Sequence, residues 1–359
     1  MRKILKPGIH WLYLFIPITL ALEYSGGAAP IIFFCAALSI IPIARLIGTS
    51  TENLSTYTGD AVGGLLNATF GNAPELIIAI VALNAGLHEM VLASLAGAIL
   101  ANLLLATGLS FFVGGLKYHN QEYNPVSIRL YSSMMMIAVI SLTVPSAFHR
   151  FVGAVPSVSE DRLNISLALV LLLAYVLYLV FMLKTHKDFF KSKESRQEEH
   201  EHRWSVQRAV ITLIAASVLA AFMSEILVGV AEETGKALGL SDAFIGLIFL
   251  AVVGGAAESI SAVIMASKNK MDLSIGIAIG SSIQIALFVA PLLVLLSLVV
   301  GPGQMNLSFP KGLMLVVFSA VLISAMISGD GRSNWYKGVQ LIIIYLIIAM
   351  MFYFAASGQ

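Results

Sequence analysis

The chain has 359 residues, 58% of them hydrophobic and only 11% Asp, Glu, Lys or Arg, with a mean hydropathy of +0.90. Soluble domains carry about 25% charged residues, so an ordinary soluble enzyme is excluded, and disorder with it. The net charge of +1, from 21 basic and 20 acidic residues, gives no footprint for nucleic acid, and the lone Cys35 can form neither an internal disulfide nor a thiolate metal cluster.

Apolar runs of roughly twenty residues, the length a helix rising ~1.5 Å per residue needs to cross the hydrocarbon core, recur along the chain. Eleven spans are predicted, near 10–24, 28–47, 60–84, 90–114, 129–148, 163–183, 207–229, 241–266, 272–300, 311–328 and 337–356. The first follows Arg2, Lys3 and Lys6 and has the outline of a cleavable signal peptide, but it is read as a retained helix. The fold class is therefore an all-α polytopic membrane protein. With the N-terminus in the cytoplasm, seventeen of the 21 Lys and Arg residues fall in inside loops; only Arg150, Arg162, Lys236 and Lys311 remain outside. That is the positive-inside asymmetry expected if helix count and orientation are right.

One long polar stretch, Lys184 to Arg203, contains Glu198-Glu199-His200-Glu201-His202 and reads as a cytoplasmic loop dividing the chain. Sliding one half along the other lays Gly71-Asn72-Ala73-Pro74-Glu75-Leu76-Ile77-Ile78-Ala79-Ile80 over Gly254-Gly255-Ala256-Ala257-Glu258-Ser259-Ile260-Ser261-Ala262-Val263, with five of ten positions identical. The same shift carries Gly97 onto Gly280. An internal duplication follows: a leading helix in 1–25, a five-helix repeat in 26–183, the charged loop 184–206 and a second five-helix repeat in 207–359. Because five is odd, the second copy enters the membrane inverted. Transporters built this way bind substrate near the midplane, where interrupted helices of both copies meet. Gly71 and Pro74 in one copy, and Gly254 and Gly255 in the other, mark those interruptions; close helix packing is the plainer reading of the glycines taken alone.

Glu75 and Glu258 lie inside predicted spans, where a bare carboxylate costs on the order of 3 kcal/mol or more and must face partners, water or an ion. Two carboxylates at equivalent repeat positions can converge on one site, where protons and a cation compete for the same oxygens. Carboxylates with amide, hydroxyl and carbonyl oxygens suit hard divalent ions, Ca²⁺ before Mg²⁺. Asn72 stands three residues before Glu75 and Ser261 three after Glu258, each able to share its glutamate's helix face, and the companion helices carry Asn102 and the Ser281-Ser282-Ile283-Gln284 cluster. Interhelical hydrogen bonding is the alternative role of these amides.

Gly71-Asn72-Ala73-Pro74-Glu75, within the Gly63–Phe70 context, and Gly280-Ser281-Ser282-Ile283-Gln284-Ile285-Ala286-Leu287-Phe288 closely resemble the motifs of the Ca²⁺/H⁺ exchanger (CAX) family of the calcium/cation antiporter superfamily. The resemblance spans the whole chain. It implies that Glu75 and Glu258 are the metal and proton carriers, that Asn72, Asn102, Ser281 and Gln284 line the path, and that carbonyls near the helix breaks, about Gly71, Gly254, Gly255 and Gly280, complete coordination. Two positions depart from the pattern. Gly255 stands where the family usually has asparagine, and Asn102 falls five residues after Gly97 whereas Gln284 falls four after Gly280. Related Na⁺/Ca²⁺ exchangers carry Thr or Ser hydroxyls just before the motif glutamate; here the residues are Asn72-Ala73-Pro74 and Gly255-Ala256-Ala257, which favours protons over sodium as the coupling ion.

Asp60 and Asp242 are expected at the starts of the two motif helices, as caps or alternatively as guides for cations into the vestibule, and Glu225, Glu232 and Glu233 as a solvated rim or alternatively the lining of an external mouth. The His/Glu loop is a candidate regulatory cation binder, with a merely solvated charge run as the plainer reading. No HExxH, GxSxG or GxxxxGK[ST] pattern supports an enzyme. The expected activity is export of cytosolic Ca²⁺ in exchange for protons by alternating access, with Ca²⁺ and H⁺ as transported substrates and no cofactor. Na⁺/Ca²⁺ exchange or another divalent cation/H⁺ antiport is the alternative, and a channel ringed by two glutamates a more distant one. The expected surroundings are a lipid bilayer, most simply a prokaryotic cytoplasmic membrane with a vacuolar membrane as the alternative, and assembly into homo-oligomers is compatible with the sequence.

Overall fold

The computed structural model describes residues 9–151, 157–186, 204–310 and 312–357. Most of the charged loop, 187–203, lies outside them, as do Arg2, Lys3, Lys6 and Lys311. A 3-10 turn leads into α1 (Phe15–Ser25), which ends on Gly26 in the left-handed region and packs along α2 (Ala29–Phe70), where the Tyr13 hydroxyl donates to the Pro42 carbonyl. After a break come α3 (Ala73–Asn84) and α4 (His88–Leu100); α4 runs through a wide π-helical turn, Ala101–Ala106, into α5 (Thr107–Tyr118). The strand β1 (Gln121–Glu122) precedes α6 (Pro125–Phe151) and α7 (Ser157–Val180).

The second half starts with α8 (Val206–Gly229) and α9 (Ala231–Leu238). The short α10 (Asp242–Phe244) passes through a π-helical turn, Ile245–Leu250, into α11 (Ala251–Gly254), and across a bend of 54° lies α12 (Ala256–Ser267). Then follow α13 (Met271–Gln284), a third π-helical turn at Ile285–Val289, α14 (Ala290–Leu296), α15 (Leu313–Ser328), β2 (Arg332–Ser333) and α16 (Trp335–Ser357).

The shift that takes Gly71 to Gly254 holds element by element around the motifs. It carries the start of α3 onto that of α12, both 12 residues long, and likewise α4 onto α13 and α5 onto α14. Gly86 and Asn269, matched by the same shift, both adopt left-handed φ, 79° and 63°, in the turns that follow α3 and α12.

The chain is an integral membrane protein, but the span count differs from the eleven expected. Among the described residues seven helices are long and apolar enough to cross a bilayer, or eight if the bent Asp242–Ser267 pair counts as one. Ile9–Tyr24, Ala73–Asn84 and Leu313–Ser328 are shorter. A 12-residue helix covers only ~18 Å of a ~30 Å core, so α3 cannot span by itself. The second expected span also ends later than 47, because α2 stays helical through Thr49–Thr58 and turns only beyond Ser55. Its polar side chains are satisfied within the helix: Ser50, Thr51 and Asn53 donate to the carbonyls of Leu46, Ile47 and Thr49, and Ser55 and Thr56 to those of Glu52 and Asn53. Asp60 lies inside α2, just past the straight run that ends at Thr58. Asp242 does begin α10, but the cap is Ser241, whose hydroxyl accepts from the Phe244 N–H. Glu225, Glu232 and Glu233 are exposed, as a rim would be.

The two ends of the molecule differ. At one end Lys117 donates to the Ser267 carbonyl at 2.7 Å, Gln121 to the Ala266 carbonyl and to Asn269 Oδ1 at 2.9 Å each, and the Asn124 N–H to Asp272. Residues Gln121 and Glu122 pair antiparallel with Ser333 and Arg332, a two-residue ladder absent from the all-helical expectation. Lys117, Lys268, Lys270, Arg332 and Lys337 of the expected inside set cluster at this end. At the other, Gly86 meets Pro302, and the N–H groups of Leu307 and Phe309 donate to Asn164 and Ser146.

Candidate ion-binding site

The site is built where two short helices begin. Pro74 occupies the first turn of α3, where its missing N–H costs nothing, and Glu75 follows it; Glu258 holds the same place in α12. Each carboxylate thus lies in a first turn, beside the partial positive charge of its own helix N-terminus. Asn72 precedes α3 and would ordinarily cap it, yet its side chain makes no capping bond. It is drawn inward: its Nδ2 donates to Gln284 Oε1, and its Oδ1 accepts from the Ser281 hydroxyl at 2.6 Å. A capping bond has been exchanged for one that reaches into the second half of the chain.

Ser281 Oγ also lies within hydrogen-bonding distance of Glu258 Oε2. One continuous chain therefore runs from Glu258 through Ser281 and Asn72 to Gln284. Ser281 and Asn72 are buried.

Glu75 stands apart from that chain. It is 8% exposed, and neither carboxyl oxygen has a hydrogen-bond partner in another residue. Its neighbours come from the opposite motif: a Cβ on Gly254 would stand 2.9 Å from Glu75 Cγ, and one on Gly255 would stand 3.6 Å from Glu75 Oε1 and 3.5 Å from Asn102 Oδ1. Gly255, where a side chain was expected from the family pattern, leaves open the space between Glu75 Oε1 and Asn102. Asn102 sits in the wide turn after α4, buried, with its Nδ2 unpartnered and its carbonyl accepting from the Thr107 hydroxyl.

A cavity of about 830 Å³ reaches Glu258, Ser281, Gln284, Gly71 and Gly280, and extends past Arg45 and Glu52 to Lys268 and Asp272 at the lysine-rich end. Glu75 faces a separate void of about 10 Å³, room for roughly one water, between α4 and the Leu250–Ala251 stretch. Ser261 lines the large cavity beside Glu258, and its hydroxyl donates within its own helix to the Ala257 carbonyl at 2.9 Å. Among the described residues no three His, Cys, Asp or Glu side chains group together, so any cation here would rely on two carboxylates and neutral oxygens. The structure brings the candidates Glu258, Ser281, Asn72 and Gln284 together and sets Asn102 beside Glu75; the direct bond between Asn72 and Ser281 leaves no sign in the sequence, because nothing local indicates a contact between α13 and the start of α3.

The chain matches the model of the family described as sodium/calcium exchanger protein over residues 28–184 and 208–354. It is 43% identical over 341 residues to the Ca²⁺/H⁺ antiporter ChaA of Bacillus subtilis (strain 168), covering 94% of this chain and 96% of that protein. To a Ca²⁺/H⁺ antiporter of Synechocystis it is 39% identical over 361 residues, 96% of each chain. The solved structure of native YfkE superimposes with a TM-score of 0.84 at 40% identity, covering 97% of this chain and 100% of that one. The chain belongs to the sodium/calcium exchanger protein family, and is a membrane transporter rather than an enzyme.

Proposed function

We propose that this protein exchanges Ca²⁺ for protons across its membrane, with Glu75 and Glu258 binding the two substrates competitively. The observation that carries the reading is the buried, unpartnered Glu75 carboxyl facing Gly255 and Asn102, while Glu258 opens to the cavity. An uncompensated buried carboxylate is costly unless it is protonated or holds a cation, so the site needs one or the other at all times. The relatives named as Ca²⁺/H⁺ antiporters support the choice of substrates.

The hydrogen-bond chain supports proton loading at Glu258 Oε2. Ser281 Oγ carries one proton and faces two acceptors, Asn72 Oδ1 and Glu258 Oε2. Donation to Asn72 leaves Ser281 as acceptor, and Glu258 then completes the chain by donating a proton of its own. Arriving Ca²⁺ takes the carboxylate oxygens of both glutamates and releases that proton, together with the one carried by Glu75, toward the cavity. Only the neutralised site crosses cheaply through an occluded state, which couples the two fluxes. The lysine-rich end is assigned to the cytoplasm by the charge asymmetry, so Ca²⁺ enters from there. The narrowness of the void on the Glu75 side favours alternating access over a continuous pore.

The test is ⁴⁵Ca²⁺ flux into proteoliposomes under a pH gradient, beside a sodium gradient at uniform pH and protein-free vesicles. Uptake driven by the pH gradient alone establishes the exchange. Uptake driven only by sodium moves the chain to Na⁺/Ca²⁺ exchange, and flux that needs neither gradient makes it a channel.

A further inference from the structure

Helix α4 crosses the Ile245–Leu250 turn through a glycine on each side. A Cβ on Gly97 would run into the Leu247 carbonyl, and one on Gly246 would stand 2.5 Å from the Met90 carbonyl oxygen. Both obstacles are backbone atoms, which no rotamer change can remove, so only glycine permits this approach. The crossing covers Glu75: the small void at its carboxyl is walled by Ser94, Leu95 and Ala98 of α4 and by Leu250 and Ala251 just past the crossing.

The counterpart in the other half is apart. Gly280 is the repeat equivalent of Gly97, at the same position of α13, and a Cβ there would meet nothing within 4 Å. It lines the open cavity instead. Gly63, the repeat equivalent of Gly246, lies against the Ser55 carbonyl of its own helix, 2.5 Å from where its Cβ would be. Eight residues span ~12 Å in a straight helix, so α2 turns sharply there, and its glycine is turned onto its own chain. Two equivalent glycine pairs thus occupy opposite states, one closed over Glu75 and one open beside Glu258.

We propose that Gly280 is the open half of a reciprocal glycine seam: in the oppositely facing state α13 closes at Gly280 onto the backbone around Gly63, and the Gly97–Leu247 contact separates. This rests on the alternating-access reading above and names the contacts that perform it. Packed backbone crossings of this kind are either made or broken, which gives the two discrete arrangements that an alternating transporter needs. An added methyl at Gly280 fits the present state and obstructs only the other one. At Gly97 the same methyl obstructs the present state.

The experiment uses the full-length protein in proteoliposomes, in a Cys35→Ala background. Single reporter cysteines are placed at Ser94→Cys on the Glu75 side and Ile277→Cys in the cavity, and a membrane-impermeant thiol reagent is applied to each face. With both glycines intact the reporters are expected to label under different conditions, Ile277→Cys without a gradient and Ser94→Cys only during exchange. Gly280→Ala is expected to fold, to keep Ile277→Cys reactive, to abolish labelling of Ser94→Cys, and to slow exchange by about tenfold or more. Gly97→Ala is expected to make Ser94→Cys reactive without a gradient; if it does not fold, Gly280→Ala decides alone, since its site has room for the methyl. Exchange within about twofold of the parent by Gly280→Ala, with Ser94→Cys still labelled, overturns the seam while leaving alternating access intact. Labelling of Ser94→Cys as fast as Ile277→Cys in the parent without a gradient overturns alternating access and the seam with it.

Discussion

Gly254 of the second motif packs against Glu75 of the first so closely that a Cβ on it would stand 2.9 Å from the glutamate's Cγ. The helix break of the second motif is thus a wall of the first motif's carboxylate. The neighbouring Gly255 has looser surroundings, with the nearest atoms 3.4 to 3.6 Å from its absent Cβ.

These distances separate two variants. Gly254→Ala pushes on the stem of a buried side chain that has nowhere to turn, and is expected to cost about 1–3 kcal/mol of stability. Gly255→Ala should fold close to the parent protein but crowd the space between Glu75 and Asn102, weakening Ca²⁺ binding. Thermal unfolding in detergent beside Ca²⁺ titration calorimetry checks the split; equal stability losses would contradict it.

Glu75→Gln and Glu258→Gln keep the shape of each side chain and remove its charge and exchangeable proton. Each variant is expected to fold, and to take up ⁴⁵Ca²⁺ no faster than protein-free vesicles. Transport at the parent's rate by either would defeat the paired-carboxylate reading.

Ser281→Ala removes the hydroxyl that joins Asn72 to Glu258 and leaves the buried Asn72 Oδ1 without that donor, at a cost of about 1–3 kcal/mol. Exchange should slow while Ca²⁺ still binds. Ser281→Thr retains the hydroxyl and should restore most of the rate, a rescue that a purely steric role for Ser281 would not give.

One acid-sensitive contact lies outside the spans, in the turn between α15 and α16. Partial burial would raise the Asp330 carboxyl, but hydrogen bonds from the Lys337 ammonium, 2.6 Å away, and from the Arg332 N–H outweigh it and hold the carboxyl below its usual range. A depressed carboxylate stabilises the fold above the unfolded value of ~3.9, and the contribution is lost as pH falls through the folded one. Melting temperatures measured between neutral and strongly acid pH should therefore fall less steeply for Asp330→Asn. The difference is expected to be small, because the Asp330 side chain is more than half exposed and water screens the pair. Exchange at neutral pH should be unaffected.

Much of the architecture was legible before any coordinates, because membrane insertion imposes rules that act locally. Apolar length and the placement of Lys and Arg respond to the bilayer alone. The offset linking Glu75 to Glu258 survives in the structure as equal helix lengths and matching left-handed residues at Gly86 and Asn269. Helix ends were less legible. Thr49–Thr58 reads as a loop by polarity, yet it is helical, and Ser50, Thr51, Asn53 and Ser55 each donate to a carbonyl about one turn back. Asn72 reads as a cap for α3 and is not one, since Gln284 and Ser281 claim its amide.

The sequence by itself determined a duplicated membrane protein with a carboxylate near the start of a broken helix in each copy. Tertiary structure decided that Gly254 faces Glu75, that Ser281 stands between Asn72 and Glu258, and that the cavity opens at Gly280 while the crossing at Gly97 is shut. The physical reason is twofold. The two copies interleave, so the contacts that make the site join residues from opposite halves of the chain, such as Ser281 and Asn72, and leave no local trace. Near-equivalent motifs can each be open or closed, and only the packing of the whole chain selects which one is which.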